Sequence, residues 1–266
     1  MSRYSSHAAN APADQASGLR RLFAPVRRRL LPVAANPFVP AGQAVLETLS
    51  AELAAQGRQV LVVDAASTAP SPHETALFDL AAGVERLHEQ ICYLAARGVP
   101  LAHVDTHGSA AAFVDAAFDA APQCDLVLLH ADPTDLARML GQRAVRPLLL
   151  GADGPESIKQ AYACCKLLAQ RCGLMTFDLV LAAPPRSRRV AAIAERLASC
   201  ADTFLGAVLH DWAVIDPLAD PLAAQDAALA RVLAGQIALE EPGRTAPALH
   251  DRSLRTARHG ATPTPF

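Results

Sequence analysis

Short apolar runs alternate with longer Ala/Leu-rich stretches along most of this chain. An apolar run opening at Leu30 gives way to a loop, Ala35–Gln43, and Ala44–Gln56 then places Val45, Leu49 and Leu53 on one helical face, with Gly57 as the stop. Gln59-Val-Leu-Val-Val-Asp64 is apolar up to its terminal carboxylate, as expected of a strand covered by helices on both sides of a parallel sheet. Further along, the pattern predicts helix over Leu77–Ala96, a short strand over Leu101–Asp105, helix over Ala110–Ala121 and strand over Leu126–His130. It continues with a short helix at Asp135–Leu140, strand at Arg146–Gly151, a long helix at Pro155–Gln170 and strand at Phe177–Ala182. Helix at Ser187–Cys200, strand at Phe204–Leu209 and a final helix at Ala223–Leu239 complete it. Strand and helix alternating in this way give an α/β fold, a mostly parallel sheet with helices on both faces.

The segment Leu30–Asp64 has the βαβ form that opens nucleotide-binding α/β domains. A phosphate-cradling loop needs glycines that turn successive N–H groups toward the anion, a Lys for the β/γ-phosphates and a Ser or Thr hydroxyl for Mg²⁺. Here the loop reads Ala-Asn-Pro-Phe-Val-Pro-Ala-Gly-Gln, with Pro37 and Pro40 lacking an N–H, one glycine, Gly42, and no Lys. Residues 65–76, with Pro70 and Pro72, read as a loop standing where a nucleotide would have ordered a switch segment.

The ends differ from the middle. Residues 1–13 and 241–266 lack periodicity and are expected to be disordered, so residues 1–29 form a flexible arm ahead of a single domain at 30–240. Within the arm, Asp14 is a helix cap and Ala16, Leu19, Leu22 and Phe23 share one helical face, although Gly18 weakens that helix by roughly 1 kcal/mol. So short a helix is expected to gain its order by docking. Arg27, Arg28 and Arg29 read as a solvated linker.

Composition narrows the function. With 266 residues, 52% of them hydrophobic, the chain can bury one large core. Its net charge of −2 gives no global attraction to nucleic acid or to an anionic membrane. Cys92, Cys124, Cys164, Cys165, Cys172 and Cys200 form no C-x-x-C pair and read as reduced thiols of a cytoplasmic protein. The N-terminus has no apolar core of a signal peptide, and no window is long enough for a membrane span.

Three clusters hold residue types capable of chemistry. His103-Val-Asp105-Thr-His107, if extended, aims two imidazoles and a carboxylate the same way, a ligand set for Zn²⁺ or Mn²⁺ that His130 could complete. A solvated strand end is the commoner meaning of such a run in a chain with nine histidines. Arg186, Arg188 and Arg189 could meet phosphate, but they read more simply as an exposed helix start. Cys164-Cys165 lies within a helix and reads as core rather than redox machinery.

Two stretches carry a family resemblance. Asp14-Gln15-Ala16-x-x-Leu19-Arg20 resembles the D-Q-A-x-x-L-R arm of FlhG (FleN), the flagellar branch of the MinD/ParA-type deviant P-loop ATPases, and Pro155-Glu-Ser157-Ile158-Lys-Gln-Ala161-Tyr162-Ala-Cys-Cys-Lys166-Leu167-Leu168 is similar to that family's P-T-S-I-x-D-A-Y-A-x-x-K-x-L. Gln56–Asp64 fits the family's second strand, and Phe204-Leu205-Gly206 with Asp211 fits its F-L-G-x-I-P-x-D. The likeness spans about residues 14 to 235. Against the family's K-G-G-V-G-K-T loop, the signature Lys falls on Pro37, the phosphate Lys on Gly42 and the Mg²⁺-binding Thr on Gln43. The switch II carboxylate falls on His130, the adenine-reading Asn falls near Ala182, and Asp64 alone keeps its place.

The resemblance implies a flagellar number and placement regulator that binds FlhF, a signal-recognition-particle-type GTPase, through its arm and stimulates GTP hydrolysis. Gln15 would be the inserted group, Arg20 and Arg21 its charge anchors, and Leu19 and Leu22 the docking face, with Asp14 and Ala16 completing the segment. Active members of the family use ATP and Mg²⁺ and dimerise across ATP. With Gly42, Gln43 and Asp64 as a vestige of that site, no cofactor is expected, and the chain would be a pseudo-ATPase scaffold. Other flagellar basal-body or transcriptional proteins are possible partners, nucleic acid is not, and the cell pole would be reached through the partner. The last helical pattern carries one Arg231 against Asp226 and Glu240, unlike the basic face of a membrane-surface helix. Alternatives are a working ATPase with an unconventional nucleotide loop, a small His/Asp metalloenzyme, or a MinD-like partner for cell division or polysaccharide secretion.

Overall fold

The computed structural model describes residues 28–239, apart from 142, 185–186 and 224–225. The expected arm, Asp14, Gln15, Ala16, Leu19, Arg20, Arg21 and Leu22 included, lies outside the described residues, as do Arg186 and the tail 241–266. Eight strands form one sheet in the order β3-β4-β2-β5-β1-β6-β7-β8. In sequence they are β1 (Arg29–Ala34), β2 (Val60–Asp64), β3 (Val84–Arg86), β4 (Ile91–Ala95), β5 (Leu126–Ala131), β6 (Leu148–Ala152), β7 (Thr176–Ala182) and β8 (Val208–Ile215). All neighbours pair in parallel except β3, which runs antiparallel to β4 at the edge. The expected mostly parallel α/β sheet is what the chain builds.

Among the described residues six α-helices cover the sheet: α1 (Gly42–Ala55), α2 (Ala111–Ala120), α3 (Pro133–Leu140), α4 (Pro155–Cys172), α5 (Val190–Leu205) and α6 (Ala227–Ala238). Because successive strand residues point to opposite faces, the sheet feeds two cores. Leu31, Val33, Val60, Val62, Leu126 and Leu128 pack against Val45, Leu49 and Leu53 of α1 and Leu229, Val232 and Leu233 of α6. Leu61, Val63, Val127, Leu129 and Leu179 face the other way, toward Phe113 of α2, Leu136 of α3, Leu168 of α4 and Leu197 of α5.

Three expectations are corrected. Leu77–Ala96 is not a helix but 3₁₀ turns at Glu74–Leu77 and Leu80–Gly83 followed by the β3–β4 hairpin. Its Ala-rich start suggested helix, but Val84, Ile91 and Tyr93 suit a pleated surface, and Gly83 has no Cβ where one would strike Ala76. Leu101–Asp105 is not a strand, because Val99–His103 coils into a 3₁₀ helix with Pro100 in its first turn. Strand β8 starts at Val208 rather than Phe204: α5 runs on to Leu205 and stops at Gly206, whose φ of 65° lets its N–H turn back to the Asp202 carbonyl.

One buried polar cluster braces the far end of the sheet. Asp178 of β7, fully buried, accepts from Arg146 Nε at 2.7 Å, from Gln236 Nε2 of α6 at 2.6 Å and from the Asp211 N–H at 3.1 Å. Desolvation pushes the Asp178 carboxyl up from its ordinary range, and Arg146 opposes that shift. This end lies opposite the loops that follow the strands, where open parallel sheets bind ligands.

Candidate functional site

The carboxyl ends of β1, β2 and β5 converge where the sequence placed a phosphate loop. Sheet order makes this so, since β5 lies between β2 and β1 and the parallel register sets Asp64 directly beside His130. Asp64 is 2% exposed and His130 6%, and His130 Nδ1 lies 2.8 Å from Asp64 Oδ1. The Tyr93 hydroxyl reaches the other carboxylate oxygen at 3.5 Å, and the Ala66 N–H approaches Oδ1 at 3.4 Å. Burial first, and then the negative charge of Asp64, push the Tyr93 phenol above its usual range, so it remains a donor. The Asp64 carboxylate is thus closed inward on its neighbours.

The loop after β1 is held from within as well. Asn36 is buried, and its Nδ2 donates to the Leu150 carbonyl at 2.8 Å, the Ser157 carbonyl at 2.9 Å and Ser157 Oγ at 3.1 Å. Its Oδ1 accepts the Phe38 N–H at 3.1 Å, while its backbone carbonyl accepts the Val39 N–H at 3.0 Å. Asn36 therefore ties the loop to β6 and to the first turn of α4, and Ser157 of the P-E-S-I-K-Q-A-Y stretch supplies that anchor. Pro37 and Pro40 carry no N–H, and those of Phe38 and Val39 are engaged, so four successive loop positions offer an anion nothing. Ala41 sits at φ 53°, ψ 44°, the left-handed conformation that glycine adopts freely and a side chain resists.

Gly42 opens α1, and Gln43 is exposed on its first turn, which holds no acidic residue. Only two lysines occur in the chain, Lys159 and Lys166, both on α4, and Lys159 pairs with Glu156 at 2.7 Å. Residues 35–43 thus offer neither a cationic side chain nor a Ser or Thr hydroxyl to a magnesium triphosphate.

Other sequence candidates resolve simply. His103, Asp105 and His107 do not share a strand face. The Asp105 carboxylate accepts the His107 and Ser109 N–H groups at 2.8 and 2.9 Å, and those bonds hold it below the ordinary carboxylate range. Among the described residues no group of three His, Cys, Asp or Glu side chains is placed to hold a metal ion. Arg188 and Arg189 are exposed ahead of α5. Cys164 and Cys165 are buried within α4, and desolvation pushes their thiols up to about 12 and about 11, which leaves them unreactive near neutrality. Sequence reasoning missed Asn36, Tyr93 and Ser157. The Asn-Pro step ending an apolar strand was the available signal for the first; the other two depend on which strands and helices adjoin.

No known protein-family model matches the chain, and no curated protein matches it. Solved structures do resemble it. The MinC:MinD cell division protein complex of Aquifex aeolicus superposes with a TM-score of 0.54 at 13% identity, over 78% of this chain and 96% of that one. A putative plasmid partition protein from Borrelia burgdorferi B31 bound to AMPPNP gives 0.53 at 8% identity, over 79% and 98%. Cobyrinic acid a,c-diamide synthase from Mycobacterium smegmatis, with bound ATP analog and magnesium, gives 0.51 at 18% identity, over 77% and 92%. At such identities the likeness establishes the fold, and that fold is the MinD/ParA-type P-loop NTPase architecture. Among the described residues no helix is long and apolar enough to cross a membrane.

Proposed function

We propose that this chain is a scaffold of the MinD/ParA type that no longer holds or hydrolyses ATP and acts through its N-terminal segment on another protein's nucleotide. The observation that carries the reading is the Asp64–His130 pair beneath a loop whose Phe38 and Val39 N–H groups are turned inward by Asn36. Phosphoryl transfer depends almost wholly on charge compensation and positioning. In this site Pro37, Gly42 and Gln43 supply neither, and the carboxylate has its own partner.

The resemblance of Asp14–Arg20 to the FlhG arm supports the finer reading: a regulator of flagellar number and placement that binds an FlhF-like GTPase. Gln15 enters beside the partner's triphosphate, Arg20 and Arg21 balance charge there, and Leu19 and Leu22 dock. Recruitment to the cell pole follows from that contact. The test is GTP turnover by the FlhF-like GTPase of the same cell with added full-length chain, in the presence and absence of ATP. The reading expects acceleration that is indifferent to ATP and lost in Gln15→Ala; turnover unchanged by the wild-type chain overturns it.

A further inference from the structure

A cavity of about 560 Å³ opens between the 3₁₀ turns at 74–83 and helix α2. Leu77, Phe78, Leu80, Ala116 and Ala120 give it an apolar lining, and Asp79 and Asp119 give it negative charge. Phe78 is 93% exposed and Leu77 55%, so this face leaves large apolar side chains against water, the mark of a docking surface rather than of scattered surface hydrophobes.

The first described residue shows what can cover it. Arg28 Nη1 bonds Asp119 Oδ1 at 2.7 Å, and its guanidinium stands 5.7 Å from the Phe118 ring centroid. Arg28, where the described chain starts, therefore stands at a wall of the cavity. Phe23 is five residues before Arg28, a reach of up to roughly 17 Å, and the sequence spacing would put Leu19, Leu22 and Phe23 on one face of a helix, with Arg20 and Arg21 beside them. Asp119 is taken by Arg28, so the apolar face and basic charge of the segment meet the apolar lining and the Asp79 carboxylate of the groove.

We infer that residues 14–23 dock into this chain's own groove between the 74–83 turns and α2, so that the segment is withheld until something displaces it. The contact is intramolecular and needs no partner. Its test, run without any GTPase, is thus separate from the question of what the segment does to one.

Limited trypsin digestion of the full chain reads the docking directly, because cleavage after Arg20 and Arg21 follows the undocked population. Phe78→Asp alters an exposed side chain remote from the cut sites and is expected to speed that cleavage about tenfold, equivalent to about 1.4 kcal/mol of docking. Leu22→Asp is expected to speed amide hydrogen exchange over 76–81 and 112–120 to a similar degree. Equal cleavage in wild type and Phe78→Asp, with exchange unmoved by Leu22→Asp, overturns the inference. Protection that grows with protein concentration also overturns it, since a second copy would then be the occupant.

Discussion

Replacing His130 with Ala separates the present account from one in which Asp64 serves catalysis. The substitution removes the donor 2.8 Å from Asp64 Oδ1 and leaves a 2%-exposed carboxylate with the Ala66 N–H at 3.4 Å and the Tyr93 hydroxyl at 3.5 Å. Both are long contacts that compensate little. Deleting the donor to a buried carboxylate costs about 3 kcal/mol, a large share of the about 5–15 kcal/mol that holds a domain together. Asp64→Ala leaves an imidazole rather than a carboxylate unpartnered and is expected to cost less, about 1–3 kcal/mol. Asp64→Leu with His130→Leu removes both polar groups and is expected to lie near wild type. Urea unfolding followed at Trp212, the chain's single tryptophan, measures all of these as midpoint shifts at constant slope. The reasoning fails if His130→Ala costs under about 1 kcal/mol, or if Asp64→Ala stabilises, as removal of a strained catalytic group commonly does.

Other consequences are as direct. Ala41→Gly relieves the left-handed backbone ahead of α1 and should raise stability by up to about 1 kcal/mol in the same unfolding assay. Gly151→Ala puts a Cβ 2.8 Å from Leu181 Cδ2 and should cost about 1–3 kcal/mol, seen as a lowered melting temperature. Arg146→Met strands Asp178 and should cost about 3–5 kcal/mol by urea titration. Hydrogen bonds from Arg231 hold the Asp211 carboxyl below its ordinary value of 3.8, so that pair's contribution is present above that value and is lost as the pH falls through the lowered one. Arg231→Gln should therefore unfold more readily than wild type near neutrality, with the gap closing in acid. Asp178, shifted upward, has the opposite sign: its share is complete below 3.8 and declines as the pH rises through the raised value.

The sheet was legible because buried parallel strands are written as unbroken apolar runs, and Val60–Asp64, Leu126–Ala131 and Thr176–Ala182 could hardly be anything else. The segment 77–96 was not. Alanines and leucines there mimic a helix, and only the contact of Gly83 with Ala76 and the pairing of Glu85 with Tyr93 on β4 decide against it. The site divides the same way. A loop without lysine and an Asp at a strand end are local facts, readable one residue at a time. That His130 occupies the carboxylate's neighbourhood and pairs with Asp64 depends on β2 lying beside β5, which are more than sixty residues apart in the chain. Asn36 finds its partners on β6 and α4, over a hundred residues away. Non-local pairing of this kind leaves no period in the sequence.

The central claim, that the triphosphate grip is gone, is tested most directly by thermal unfolding of the full chain with and without millimolar Mg²⁺-ATP. A ligand at 100 times its Kd stabilises by about 2.7 kcal/mol; at about 2–4 °C per kcal/mol for a domain of this size, about 1 mM Mg²⁺-ATP on a site with a Kd of about 10 μM would lift the melting temperature by about 5–10 °C. The account predicts no shift. A rise of that size, saturable in ATP and abolished by Asp64→Ala, contradicts it.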